Sequence, residues 1–480
     1  MTVRHWTSIE DPTAAAAALF GVHLLLALLI SFHVLISRKR PQSAAGWLAL
    51  TWLSPFVGAV SYLVLGVNRI RRKAERIRAD VPERAPVVEP HVEPSVPEVL
   101  APLRHSIDQI VDSPLLPGNR VSVLIDGDEA YPAMLDAIAH AQSSVAFQTF
   151  IVDRDDWGRR FVDALAAAKA RGVEVRVLLD GVGVWFSWPT IIPLLRAADL
   201  RWDRFLWSFD PFRMAFINLR NHRKVLVVDG EVGFTGGMNV RGRFVASEQG
   251  QHAHRDLHFR FDGPVVAELM ALFAWDWQWE TAEALEGPTW FPTLAPAGDT
   301  VARVIPDGPD EDQDKAAHAY LQALACAQER VCILTPYFLP EEPLVWAMGA
   351  AVRRGVSVEV VLPERSNQPM AQWAMGAALP DVLAQGVRVW TQPPPFDHSK
   401  VMIVDGQWSA VGSCNWDPRS LKLNFEMLVE AYSPELAATL TELFEARRDR
   451  GTELTQDALL ERPLLLQVRD GIAHLFAPYL

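Results

Sequence analysis

Cysteine is scarce in this chain. Three occur in 480 residues, Cys326, Cys332 and Cys414. Their spacing gives neither a metal-ligand pattern nor an even disulfide framework, which leaves idle thiols in a reducing compartment. Basic charge is also in deficit. A formal net charge of −13 has the wrong sign for a general nucleic-acid binder, so nucleic acid is not an expected partner, although a local basic groove can form on an acidic protein.

Two stretches lack charge of either sign. Residues 13–36 and 44–67 contain no Lys, Arg, Asp or Glu. At about 1.5 Å per helical residue each is long enough for a hydrocarbon core of about 30 Å. Residues 1–80 therefore read as a membrane anchor, a hairpin of two transmembrane helices joined by SRKRPQS. A cleaved signal peptide fits less well, because a basic start and a small-residue cleavage site are missing and a second apolar run follows at once. The stretch NRIRRKAERIR (68–78) is longer and more basic than the loop with Arg38, Lys39 and Arg40. That places both ends of the hairpin, and the body downstream, on the cytoplasmic side of a bacterial inner membrane, and it suits contact with anionic headgroups. Residues 81–102 carry a proline every three to five positions, which reads as an extended linker.

Beyond the linker the chain repeats itself. MLDAIAHAQSSVAFQTFIV and ALAAAKARGVEVRVLLDG in one half answer to YLQALACAQERVCILTPYF and GAAVRRGVSVEVVLPE in the other. In each, an Ala-rich helix leads into a β-branched strand, and a second helix ends in Arg-Gly-Val, where the glycine suits a C-cap. The following strand is Val-rich, as in sheets buried on both faces. The expected fold is α/β, with a first domain over 103–290, a second over 291–480, and a pseudo-twofold bringing equivalent segments together.

Each half ends on the same short pattern, NHRKVLVVDG at 221–230 and DHSKVMIVDG at 397–406. If the pattern is a strand, alternation puts His222 with Lys224, and His398 with Lys400, on one face and turns Asp229 and Asp405 to the other. Glycine turns follow: TGGMN places Asn239 and VGSCN places Ser413 and Asn415, each Asn ten residues after its Asp. Amides and hydroxyls beside a tight turn can donate to phosphoryl oxygens. Two imidazoles, two ammonium groups and two amides suit phosphodiester chemistry with no metal and no cofactor. One histidine attacks phosphorus and the other handles the leaving and incoming oxygens. Each imidazole needs a carboxylate on its second nitrogen to fix the tautomer, and Asp256 and Glu426 are the candidates.

These residues resemble the phospholipase D superfamily, whose signature is His-x-Lys-x-x-x-x-Asp followed by Gly-Gly/Ser-x-Asn, twice per site. GWLALTWLSPFVGAVSYLVLG, INLRNHRK, FTGGMN, TPYFLPEE, CNWDPRSLKLNFE and HLFAPYL narrow the resemblance to bacterial cardiolipin synthases. It implies two phospholipase D-like repeats, a phosphohistidine intermediate with His222 as nucleophile and His398 as acid/base, and transfer of a phosphatidyl group between two phosphatidylglycerol molecules to give cardiolipin and glycerol. Lipid bilayer and phospholipids are then the partners. VRGRF after Asn239 and RSNQPM after LPE depart from the family's usual residues near the substrate mouth. Phosphatidylethanolamine as donor, or hydrolysis by a membrane-bound phospholipase D, are the alternatives. A nuclease and a catalytically dead scaffold fit less well, given the acidic charge and two intact motifs.

Four other segments carry expectations. The aromatic stretches 183–195 and 202–216, with Trp185, Trp188, Trp202 and Trp207, suit either a lipid interface or core. DGPDEDQDK (307–315) reads as a solvated acidic loop, and WDWQW (275–279) as helix packing.

Overall fold

The computed structural model describes residues 12–36, 41–62, 93–207 and 219–480. The basic stretch 68–78, the first part of the proline-rich segment, the residues 37–40 between the apolar runs and the aromatic residues 208–216 lie outside the described residues.

The first apolar run is one helix, α1 (Pro12–Ile36), and it is long and apolar enough to cross a membrane. The second is not one helix. It forms α2 (Pro41–Leu53) and α3 (Pro55–Ser61), while 63–67 lie outside the described residues. Proline has no N–H to donate and disfavours helical geometry in the residue before it; Ser54 accordingly sits at φ −144°, ψ 81°. The break lets α3 come back against α2, so closely that a Cβ on Gly58 would lie 2.6 Å from the Thr51 Cα. Against α1, Trp52 Nε1 donates to Ser31 Oγ at 3.0 Å, and Ile30, Val34, Ala59 and Tyr62 share a small core. These helices form one compact unit and the described residues from 93 onward form another.

The second unit is built on a sheet whose strand order is nearly a palindrome. The first half supplies β1 (Leu116–Ile125), β2 (Ser144–Thr149), β3 (Glu174–Asp180), β4 (Trp202–Phe205), β5 (Arg220–Asn221) and β6 (Val225–Val228). It continues with β7 (Val232–Gly236), β8 (His254–Arg255) and β9 (Leu257–Asp262). The second half supplies β10 (Thr300–Asp307), β11 (Arg330–Leu334), β12 (Ser357–Pro363), β13 (Arg388–Gln392), β14 (Phe396–Asp397) and β15 (Val401–Val404). It ends with β16 (Trp408–Gly412), β17 (Asn424–Tyr432) and β18 (Thr452–Glu453). From one edge the order runs β4-β3-β2-β6-β7-β9-β1, crosses to β10, and continues β17-β16-β15-β11-β12-β13-β18. Apart from β18, each strand of one half has its counterpart in the other, which is the pseudo-twofold of a mixed α/β fold.

Helices cover the sheet. Among them α4 (Asp156–Ala170) and α5 (Glu342–Arg353) are equivalent. Each is followed by Arg-Gly-Val, with Gly172 at φ 95° and Gly355 at φ 96°, a left-handed cap conformation that costs glycine nothing. Strands β2, β6, β11 and β15 are buried almost throughout, as their valine content implies.

Packing revises two expectations and agrees with a third. The end of the proline-rich segment is a 3₁₀ turn at Glu98–Leu100 leading into a helix at Ala101–Asp108. Leu100, Leu103, Ile107, Val111 and Leu115 are buried in the core of the second half. The stretch 307–315 is not a solvated loop: Asp307, Asp310 and Asp312 are buried, with Asp312 on Lys315 at 2.7 Å and Asp307 accepting the Ala316 N–H at 3.2 Å. WDWQW lies on α6 (Val265–Thr281), whose Trp277 is core and whose Asp276 has a further role below.

Candidate active site

The repeated pattern is positioned from its far end. Strands β6 and β15 are only four residues long, and the Asp-Gly that follows each is a tight turn. Asp229 and Gly230 have φ of 55° and 68°, and Asp405 and Gly406 have 52° and 60°, the left-handed pair that a hairpin turn matched to strand twist requires. The Asp229 carboxylate accepts the N–H groups of Gln142, Ser143 and Ser144 at 2.7–3.1 Å. Asp405 does the same for Gln328, Glu329 and Arg330 at 2.8–2.9 Å. Both aspartates are therefore remote from the histidines because they close the hairpin at the other end of the strand, not because strand alternation turns them away.

The histidines are placed by two short strand pairings that cross between halves. β5 runs parallel to the start of β17, with Arg220 opposite Asn424 and Asn221 opposite Phe425, and the His222 N–H then donates to the Phe425 carbonyl at 2.9 Å. β14 runs parallel to β8, with Phe396 opposite His254 and Asp397 opposite Arg255, and the His398 N–H donates to the Arg255 carbonyl at 2.7 Å. The carboxylates follow the same crossing. His222 Nδ1 meets Glu426 at 2.9 and 3.0 Å, and His398 Nδ1 meets Asp256 at 2.9 Å. Each half thus holds the other's imidazole, which leaves both Nε2 atoms for chemistry. The crossed pairing was not apparent from the sequence, where Glu426 lies 204 residues from His222 and Asp256 lies 142 from His398.

Both histidines line one cavity of about 520 Å3. Burial, opposed by Glu426 and reinforced by Lys224, lowers His222 to about 4. Burial and the Lys400 ammonium hold His398 well below the usual imidazole range. Both rings are therefore neutral. Against the upward push of its own burial, Glu426 is lowered by His222 and Lys224, whereas burial drives Asp256 up. The lysines lie close behind: Lys224 Nζ donates to the His222 carbonyl at 2.5 Å, and Lys400 Nζ donates to the His398 carbonyl and lies 3.0 Å from His398 Nδ1. Burial lowers Lys224 to about 7 and Lys400 to about 8, with Glu426 and Asp256 respectively the largest opposing influences.

Of the residues expected to meet a phosphate, Asn239 lines the cavity. Its Oδ1 accepts the Ile151 N–H at 3.1 Å, leaving the NH2 as the usable donor. Asn415 stands behind the wall and donates to Ser420 Oγ at 3.0 Å, and it is Ser420 that lines the cavity. Ser413 is fully buried and accepts the Met427 N–H at 3.1 Å, which fixes β17 beside Glu426 rather than presenting a hydroxyl to a ligand. Its counterpart Gly237 is small for a reason: a Cβ there would lie 2.6 Å from Asp256 Oδ1.

A family model described as cardiolipin synthase, PLD-like domain, matches residues 134–277 and 320–448, the spans that contain both histidines and Asn239. The chain belongs to the cardiolipin synthase family. With it, the protein falls among the phosphatidyltransferases of the phospholipase D superfamily. The cardiolipin synthase A of Pseudomonas fluorescens Pf-5 is 30% identical over 479 residues, covering 96% of this chain and 99% of that protein. The cardiolipin synthase of Geobacillus thermodenitrificans is 29% identical over 465 residues, covering 94% and 91%. Among solved structures, a phosphatidylserine synthase from Haemophilus influenzae superposes with a TM-score of 0.62 at 14% identity, over 79% of this chain and all of that one; the likeness is one of fold.

Several residues of this family member's site escaped the sequence reading. Arg223, the variable residue inside the first motif, is fully buried, bonded to Asp276 at 2.8 and 2.9 Å and to the Glu426 carbonyl at 2.9 Å. Asn221 shares Asp276 at 2.9 Å. In the other half Asp397 pairs with Arg447 at 2.6 Å, which, against burial, holds that carboxyl well below its usual range. Arg220, Arg241, Arg419, His254 and Tyr337 join the cavity wall. Only their spacing could have flagged them: Arg220 and His254 stand two residues before His222 and Asp256.

Proposed function

We propose that this enzyme transfers a phosphatidyl group from one phosphatidylglycerol to another through a phosphohistidine, giving cardiolipin and glycerol. The observation that carries the reading is the crossed placement of His222 and His398 over one cavity, each with a carboxylate on Nδ1. An imidazole whose Nδ1–H is held by a carboxylate presents an unprotonated Nε2, the nucleophilic form. Glu426 is the carboxylate that stays ionised, which favours His222 as the attacking group.

The Nε2 lone pair of His222 forms a bond to phosphorus as the phosphorus–oxygen bond to the departing glycerol breaks. The bound phosphodiester is anionic, so it raises the proton affinity of the imidazole beside it. His398 thus acquires a proton on Nε2 and gives it to the leaving oxygen. Lys224, Lys400 and the Asn239 amide offset charge on the non-bridging oxygens. The hydroxyl of a second phosphatidylglycerol then returns a proton to His398, its oxygen bonds phosphorus, and the nitrogen–phosphorus bond breaks.

Transfer is favoured over hydrolysis by a second cationic feature. Arg220 and Arg419 line the same cavity as the histidines, and an acceptor lipid brings a phosphate of its own that water lacks. Residues 68–78 support a catalytic unit on the cytoplasmic side of the membrane. The test is purified protein in mixed micelles with labelled phosphatidylglycerol. Cardiolipin with free glycerol is expected; phosphatidic acid alone would replace transfer with hydrolysis.

A further inference from the structure

The C-terminal helix α8 (Leu464–His474) packs on α7 (Pro369–Ala384) and does so with one face only. Asp470 and Ala473 are buried. Asp470 is held by Arg462 at 2.8 Å and Arg469 at 2.7 Å, and Gly376 of α7 leaves it room, since a Cβ there would lie 2.7 Å from its Oδ2. The opposite face carries an apolar stripe at helical spacing, Leu464, Leu465, Val468 and Ile472, which Leu475 and Phe476 extend just past the helix end. Leu465 is 83% exposed and Leu475 is 77% exposed. A folded protein rarely leaves such a contiguous patch to water.

The stripe is continuous with the mouth of the catalytic cavity. Met370, at the start of α7, lines the cavity, as do Tyr479 and Leu480, which follow the stripe after Ala477 and Pro478. The Arg419 guanidinium donates to the Tyr479 carbonyl at 2.8 Å, tying the end of the chain to the site. Phe186 also lines the cavity, and its neighbours Trp185 and Trp188 stack on each other with centroids 6.2 Å apart. Trp188 is 81% exposed. Trp202 instead packs on the core of the first half.

We infer that α8, together with Trp185 and Trp188, is an interfacial docking surface that seats the mouth of the catalytic cavity on a lipid bilayer. Eleven helical residues span about 16 Å, too short to cross a membrane but suited to lying in its interface with the apolar face about 5–10 Å deep. Tryptophan is the residue favoured at that depth. The bilayer is the occupant because the stripe opens onto a cavity whose substrates, on the reading above, are lipids that must leave the membrane by their headgroups only. The inference rests on that reading for its choice of occupant, whereas the exposure of the stripe and its place beside the cavity do not depend on it.

The test uses the full chain in phosphatidylglycerol/phosphatidylethanolamine nanodiscs. In a Cys326→Ser background, a thiol fluorophore is placed at Leu465→Cys or, as a control on the far surface of a helix, at Asp163→Cys. Shallow nitroxide lipids should quench the label at 465 and leave that at 163 untouched. Equal quenching at both positions overturns the docking, as does a label at 465 that is shielded in detergent by a second copy and insensitive to nitroxide lipid. Leu465→Asp/Ile472→Asp should lower turnover of bilayer phosphatidylglycerol at least about tenfold and leave turnover of short-chain, monomeric phosphatidylglycerol unchanged. Equal loss on both substrates also overturns it. A wild-type protein that makes no cardiolipin yet shows quenching at 465 would remove the proposed reaction and keep the docking surface.

Discussion

Arg220 and Phe396 occupy equivalent places, each two residues before its histidine and each on a two-residue strand borrowed by the other half. One is a guanidinium and the other a benzyl ring. Their strand partners differ in the same way: Asn424 stands opposite Arg220, and His254 opposite Phe396. The His254 ring meets Phe396 edge-on at 5.1 Å, and burial with Arg243 and Arg241 nearby lowers it to about 4. The chemistry nearest phosphorus is duplicated, while the positions one step out are free to diverge. A duplicated pair of histidines with unlike rims fits the proposed transfer between two lipids in different roles.

The comparison breaks most severely at the histidines. His222→Ala and His398→Ala should each cut cardiolipin formation by about 10⁴-fold or more with the fold intact, measured as turnover alongside circular dichroism. Near-normal turnover in either variant would mean that the two halves do not share one site. Glu426→Gln and Asp256→Asn come next, at about 10²-fold each. The crossing gives these a signature: Glu426→Gln should be non-additive with His222→Ala, its partner across the halves, in a double-mutant cycle. Additivity there would contradict the crossed dyads.

Smaller effects sharpen the rims. Arg220→Ala and Arg419→Ala should shift product from cardiolipin towards phosphatidic acid by about tenfold, whereas Phe396→Ala should leave that ratio nearly unchanged. In pH the lysines set the upper limb. Their folded values are lowered to about 7 and 8, so the ammonium charge is present below that window and lost as pH rises through it. Turnover should therefore fall between about pH 7 and 9, well before free lysine titrates. Smallest for catalysis are Asp229→Ala and Asp405→Ala. Each orphans three backbone N–H groups and should cost about 1–3 kcal/mol of unfolding free energy while the folded fraction keeps its activity.

What could be read from sequence was local. The two motifs, the Asp-Gly turns and the Arg-Gly caps are each written within ten residues, because hairpin and cap geometry depend on neighbours in the chain. The crossing of Glu426 to His222 and Asp256 to His398 was not readable, since two residues of parallel pairing leave no periodic trace. Arg223 and Asp276 were hidden for another reason: a buried ion pair looks, in sequence, like two ordinary surface charges. The second apolar run shows the reverse failure. Its hydropathy spoke for a single span, while the Ser54–Pro55 pair, visible in the letters, stops the helix at Leu53. Leu100 to Leu115 pack in the core of the second half, a partner that apolar spacing alone does not name.

The shared centre is tested most directly by counting labels. Phosphatidylglycerol labelled in its phosphate is mixed with enzyme and quenched within the first turnover under alkaline conditions, which preserve a phosphorus–nitrogen bond that acid destroys. One phosphatidyl label per chain, on one histidine peptide of the two, is the result expected of two halves completing one site. Labels on both His222 and His398 in the same chain, or none on either, would contradict it.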